Sequence, residues 1–89
     1  MNELIQFMQE DDAVSFYKYL RKYPDLANSQ DSYTGNTILM IAVIENRNVV
    51  FIHFLLRFNA DKHLTNHQGE TAADIARTLG YEHLVHILS

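Results

Sequence analysis

Apolar residues recur along this chain at helical spacing, in short segments separated by polar, turn-forming stretches. Over 2–10, Leu4, Ile5, Phe7 and Met8 make one apolar face, and Asn2 is placed to cap the segment. Asp11-Asp12 interrupts the pattern, and Asp12 can cap the next helix. That second helix is expected over about 13–22, burying Val14, Phe16, Tyr17 and Leu20 and turning Lys18, Arg21 and Lys22 to water. Basic residues near a helix C-terminus complement its dipole, and Pro24 ends the segment. Residues 25–36 are rich in turn formers and predict an extended connector, with Gly35 at positive φ. Thr37 then caps a third helix over 37–46, with Leu39, Ile41 and Ala42 inward and Asn46 as a left-handed terminator. The next segment, about 48–58, is almost solidly apolar: Val49, Val50, Phe51, Ile52, Phe54, Leu55, Leu56. A helix of that kind must be covered on more than one side. Asn59 is a second left-handed candidate. A connector over 60–70 leads to Thr71, which caps a fifth helix over 71–78; Gly80 stops it, and a sixth spans 82–88.

The pattern repeats itself. Gly35-Asn36-Thr37-Ile38-Leu39-Met40-Ile41-Ala42 is answered 34 residues later by Gly69-Glu70-Thr71-Ala72-Ala73-Asp74-Ile75-Ala76. Phe51-Ile52-His53-Phe54-Leu55 is answered 33 residues later by Leu84-Val85-His86-Ile87-Leu88. One residue is therefore extra between Ala42 and Phe51, most simply in 46–49. The template also extends upstream by 35 residues, where Phe16-Tyr17-Lys18-Tyr19-Leu20 stands for Phe51–Leu55. A period near 33 points to a stack of similar units, none of which buries its apolar face alone. The units are about 1–34, 35–68 and 69–89, within one domain of 89 residues.

These residues resemble the ankyrin repeat over essentially the whole chain. The family unit is a hairpin connector ending in Gly, a helix opened by Thr and carrying Ala, a Gly-like turn, a second helix rich in Val and Leu, and Gly-Ala-Asp. Gly35, Thr37, Leu39 and Ala42 match it, as do Leu55, Leu56, Ala60 and Asp61. So do Gly69, Thr71, Ala76, Gly80, Leu84, Val85 and Leu88. The family's Thr-Pro-Leu-His becomes Thr37-Ile38-Leu39-Met40 and Thr71-Ala72-Ala73-Asp74. The His that ties neighbouring connectors is thus missing, and weaker bonding between connectors is expected. Connector 31–35 carries one residue more than 66–69, so the first finger should be longer. The resemblance implies an all-α, ankyrin-type solenoid of helix-turn-helix repeats joined by hairpin-like connectors. Polar residues at both ends, Glu3, Gln6, Gln9 and Glu10 at one and Asp74, Arg77, Thr78, Glu82 and His83 at the other, read as capping faces of a complete three-unit protein.

Composition narrows the setting. At 47% apolar the chain is not disordered, and no apolar run approaches the roughly 20 residues that cross a bilayer. Met1-Asn2-Glu3-Leu4 begins no basic segment followed by an apolar core, so a secretory signal is not expected. The absence of cysteine excludes disulfides and thiolate chemistry and accords with a cytoplasmic location. A net charge of −4 argues against nucleic acid or an anionic membrane as partner.

Candidate chemistry is sparse. His63 and His67 share the second connector, and His83 and His86 share a helix face, with His53 beside His86 by register. Without cysteines or a placed carboxylate, these read first as solvated polar positions; a metal-dependent or other enzymatic activity is the alternative. Ser15, Ser29, Ser32 and Ser89 have no nucleophile elbow or local base, and no phosphate loop is present. No cofactor is expected, and the chain is not read as an enzyme. Glu10-Asp11-Asp12 reads as a helix end and cap, and Lys18, Arg21 and Lys22 as a solvated face. Tyr19 and Tyr23 align by register with Phe54 and Phe58, predicting four rings side by side with Ile87 continuing the row. Tyr23 and Phe58, at helix ends, are candidates for a partly exposed apolar patch that drives self-association.

The function expected from the resemblance is protein binding, as a small adaptor or inhibitor, by a monomer or weak homo-oligomer. Ankyrin stacks grip partners with connector tips and the concave face of the first helices. Carried onto this chain, the contact candidates are Ser32, Tyr33, Thr34 and Asn36 on the first finger and His67, Gln68 and Glu70 on the second. Ile44, Glu45, Thr78 and Leu79 belong to the helical floor. Tyr33 is the favoured anchor, a large amphipathic side chain at a loop tip.

Overall fold

The computed structural model of the chain describes residues 2–45 and 48–89. Among the described residues, six α-helices follow one another: α1 (Asn2–Gln9), α2 (Ala13–Lys22), α3 (Ile38–Glu45), α4 (Val50–Arg57), α5 (Ala72–Thr78) and α6 (Glu82–Leu88). Among the described residues the only extended pairing is an isolated antiparallel bridge between Gln30 and Thr37. Helices pack as pairs α1–α2, α3–α4 and α5–α6. Across pairs, α3 touches both α1 and α5, and α2 touches α4.

Local chemistry sets the boundaries. Asp11 lies at φ 54, Asn59 at φ 65 and Gly80 at φ 78. At each, two amides reach back to the preceding helix: Asp11 and Asp12 to Met8 and Phe7, Asn59 and Ala60 to Leu56 and Leu55, Gly80 and Tyr81 to Arg77 and Ala76. That is the Schellman closure, with Asp and Asn in two of the positions Gly usually takes. The terminator expected at Asn46 lies outside the described residues. Asp12 caps α2 by accepting from the Ser15 amide at 3.1 Å. Thr37 accepts from the Met40 amide at 3.1 Å, and the Met40 thioether lies 3.4 Å from the Thr37 amide. Thr71 and Asp74 form a reciprocal capping box on α5.

Several details differ from the sequence reading, among them Asn2, which is already helical in α1 rather than its cap. Pro24–Asn28 is a 3-10 helix rather than extended chain; it turns back to seat Ala27 in the core and half-bury Leu26. Val14 is 65% exposed. At about 100° per residue, Val14 points some 200° away from Phe16, so burying Phe16 and Leu20 turns Val14 outward. The solidly apolar α4 is covered from more than one side, by α3 and α2, and α3 is more enclosed still. Ile38, Leu39, Met40, Ala42 and Val43 are all buried because α1, α4 and α5 surround α3. On α4, Phe51, Ile52 and Leu55 are buried while His53 and Arg57 face solvent. Finally, the aromatic row is not four equivalent rings. Phe54 and Phe58 meet Tyr17, at centroid distances of 5.1 and 5.6 Å, whereas Tyr19 packs on Phe7 at 5.9 Å and Tyr23 at 5.0 Å. Equivalent residues of stacked units are one repeat apart; the ring that bridges them stands on the flank facing the neighbour. Tyr17 occupies that flank, and Phe16 bridges to Phe51 edge-to-face at 4.9 Å.

Candidate functional site

Two loops project beside each other between the helix pairs. The first finger closes on the Gln30–Thr37 bridge, with the Ile38 amide on Ser29 O and the Asp31 amide on Asn36 O. Its tip is held by the Asp31 carboxylate, which accepts from the Thr34 amide at 2.9 Å and the Thr34 hydroxyl at 2.7 Å. Thr34, hydroxyl first and amide second, holds the Asp31 carboxyl below the usual carboxylate range. The second finger is built on Asn66, which is buried. Its Oδ1 accepts from the Gln68 and Glu70 amides, both at 3.0 Å. The extra residue of the first finger is visible in the closures: the Gly35 amide reaches back four residues to Asp31 O, the Gly69 amide only three to Asn66 O.

The fingers are joined to each other. The His67 amide donates to Thr34 O at 3.0 Å, and His67 Nδ1 lies 3.2 Å from Tyr33 O. A carbonyl only accepts, so Nδ1 carries the hydrogen in this contact. Asn66 Nδ2 donates to Asn36 Oδ1 at 3.0 Å and to Glu70 Oε1 at 3.1 Å. Lower down, Gln30 Nε2 bridges Gly35 O and Thr65 O, and Asn28 Oδ1 accepts from the Asp61 amide at 2.6 Å. The connectors thus have several hydrogen bonds between them without a His in the helix-opening motif. The weaker bonding expected from the missing His is replaced by bonds from Asn28, Gln30, Asn66 and His67.

The fingers and the last turns of α3 and α5 enclose a groove of about 480 Å³. Tyr33, Thr34 and Asn36 line it from the first finger, His67, Gln68 and Glu70 from the second. Ile44, Thr78 and Leu79 line it from the helices. All the contact candidates but Ser32 and Glu45 therefore border one concavity. Ser32 is exposed on the finger outside the lining, and Glu45 ends α3 beyond it. Sequence reasoning missed Asn66 and Ile75, which also line the groove. An Asn placed three residues before a connector Gly, able to bond its own backbone two residues on, is the signal that marks Asn66. The groove has a mixed surface: Tyr33 is 90% exposed, and Ile44 and Leu79 are about half exposed at 48% and 45%.

A second, apolar depression of about 350 Å³ lies on the opposite row, lined by Ala13, Val14, Tyr17, Lys18 and Phe54. His53, His63, His83 and His86 are exposed. Among the described residues no group of three or more His, Cys, Asp or Glu side chains converges as a metal site would need. No helix among them is long and apolar enough to cross a membrane. No family model, curated protein or solved structure matches the chain.

Proposed function

We propose that the chain is an ankyrin-type repeat module that binds a partner protein in the groove between its fingers and the ends of α3 and α5. One observation carries this reading. Residues from four separate stretches, 33–36, 44, 66–70 and 75–79, converge on one concavity with an apolar floor and polar, hydrogen-bonded walls. Exposed apolar surface rimmed by polar groups marks sites where proteins hold partners. The walls are tied to each other, so a partner meets a surface that needs little ordering, which lowers the cost of association. Tyr33 is the anchor in this reading, and the module acts as an adaptor or inhibitor rather than as a catalyst.

The test compares variants of the full chain as bait for proteins of its host. Tyr33→Ala should leave stability within about 0.5 kcal/mol of the parent, as an exposed tip residue does. It should weaken the captured partner by about 2 kcal/mol, the size of a hot-spot loss. Full affinity in Tyr33→Ala, with loss in a folded Phe58→Ser, moves the interface to the other row of helices. A second reading rests on the depression around Val14, Tyr17 and Phe54, whose lining is almost wholly apolar. If that surface pairs two copies, Val14→Ser abolishes a concentration-dependent dimer in sedimentation while leaving capture of the partner intact.

A further inference from the structure

We propose that the segment this groove takes carries an aliphatic or aromatic side chain next to a lysine or arginine; this rests on the groove being the binding surface. The floor supplies the first half. Ile44 and Leu79, at the ends of neighbouring helices, are each about half exposed, and Ile75, which is buried, lines the same floor. Three aliphatic side chains on one concave floor, two of them open to solvent, make a seat for an apolar side chain, not for a polar one.

The walls supply the second half. Among the described residues, the only one with a full charge in the lining is Glu70. Its Oε1 is held by Asn66 Nδ2, which fixes the carboxylate on the wall of the second finger. A carboxylate has about four acceptor positions, so one such bond leaves capacity for an incoming cation. No described lysine or arginine lines the groove. Lys18, Arg21 and Lys22 stand on α2, Arg57 closes α4, Lys62 follows it, and Arg77 on α5 is paired with Asp74 at 3.0 Å. The described cations thus lie outside the lining, and among the described lining residues one oriented carboxylate stands over an apolar floor. Such a surface attracts a cationic side chain and repels carboxylates and phosphates. Tyr33, His67 and Gln68 offer hydrogen bonds to the main chain of the segment but do not set its charge.

The experiment is a selection of displayed random linear peptides on the full chain, followed by binding titrations of the most enriched sequence as a synthetic peptide. The expected consensus pairs an aliphatic or aromatic residue with an adjacent Lys or Arg. Glu70→Gln keeps an oxygen for Asn66 and should weaken that peptide about tenfold, the effect of losing one partner of a charge pair. Ile44→Ser should weaken it by a similar factor. For the unaltered protein, affinity should fall as salt rises from about 0.05 to 0.5 M, because the pair is screened; this holds the test even if Glu70→Gln were to unfold. Selected peptides without a basic residue, or with affinity indifferent to salt and to Glu70→Gln but lost in Ile44→Ser, overturn the charge assignment and leave the groove as the binding surface. Peptides that tolerate both groove variants and are lost in Val14→Ser overturn both. A selection that enriches nothing also overturns the proposal.

Discussion

Gly35 and Gly69 occupy the same place in successive fingers and adopt nearly the same backbone, at φ 77 and φ 76, yet they answer to different constraints. A Cβ on Gly69 would meet nothing within 4 Å. A Cβ on Gly35 would stand 2.6 Å from His67 Cδ2 and 2.8 Å from His67 N, the second of which is backbone and has no room to move aside. Gly69→Ala should therefore cost only the left-handed backbone penalty, about 1–2 kcal/mol. Gly35→Ala should cost about 1–3 kcal/mol more, the usual range for overpacking. Chemical denaturation of the two variants reads the difference directly; equal midpoints would mean that the fingers do not touch. The positive φ at Gly35 is legible from the sequence, because a turn followed by Thr and an apolar helix asks for it. The close approach of His67 is not, because it depends on how one repeat is set against the next.

At the scale of elements, the capping residues carry testable weight. Thr71→Ala removes the box that opens α5 and should cost about 1 kcal/mol of stability. The carboxylates of the caps and the first finger also predict how stability depends on pH. The Thr71 amide and then its hydroxyl hold Asp74 low, the Ser15 hydroxyl and then its amide hold Asp12 low, and Thr34 holds Asp31 low. A carboxyl depressed in the folded chain contributes stability that is fully present above its unfolded pKa and lost as pH falls through the folded value. The unfolding midpoint attributable to these groups should be flat from neutrality to about pH 5 and decline below about pH 4. Asp31→Asn combined with Asp74→Asn should shallow that decline. Element boundaries are legible because Asp12, Thr37, Thr71, Asn59 and Gly80 are chemical signals confined to a few residues. The 3-10 helix at Pro24–Asn28 is not, since its turn formers read equally well as extended chain until Ala27 finds the core. The half-burial of α4 and the deeper burial of α3 are hidden for a related reason: composition records how apolar a helix is, not how many neighbours it has.

Across the whole molecule, α3 is the keystone, flanked by α1 and α5 and backed by α4. Ala42 is 6% exposed there and Ala76, its counterpart on α5, is fully buried. Ala42→Leu should lower stability by about 1–3 kcal/mol, as overpacking does, and should do so in one cooperative transition, because the pairs share the helix it disturbs. An unchanged midpoint would place Ala42 away from a helix–helix contact. The groove is legible at this scale too: stretches of loop and helix scattered between 33 and 79 need not meet, yet a repeat of about 33 residues brings equivalent positions side by side. Which flank of each ring faces its neighbour lies beyond the repeat itself, and Tyr17 takes the place expected for Tyr19 for that reason. The seating of His67 over Gly35 has one more consequence, for anyone who would redesign the tips. Asp31, Thr34, Gly35, Asn66 and His67 hold the two loops together, whereas Ser32, Tyr33 and Gln68 project from them through exposed side chains. A library varied at those three positions alone would sample new specificities on an unchanged frame, while one that altered the length of either loop would pull the imidazole off its glycine and scramble both at once.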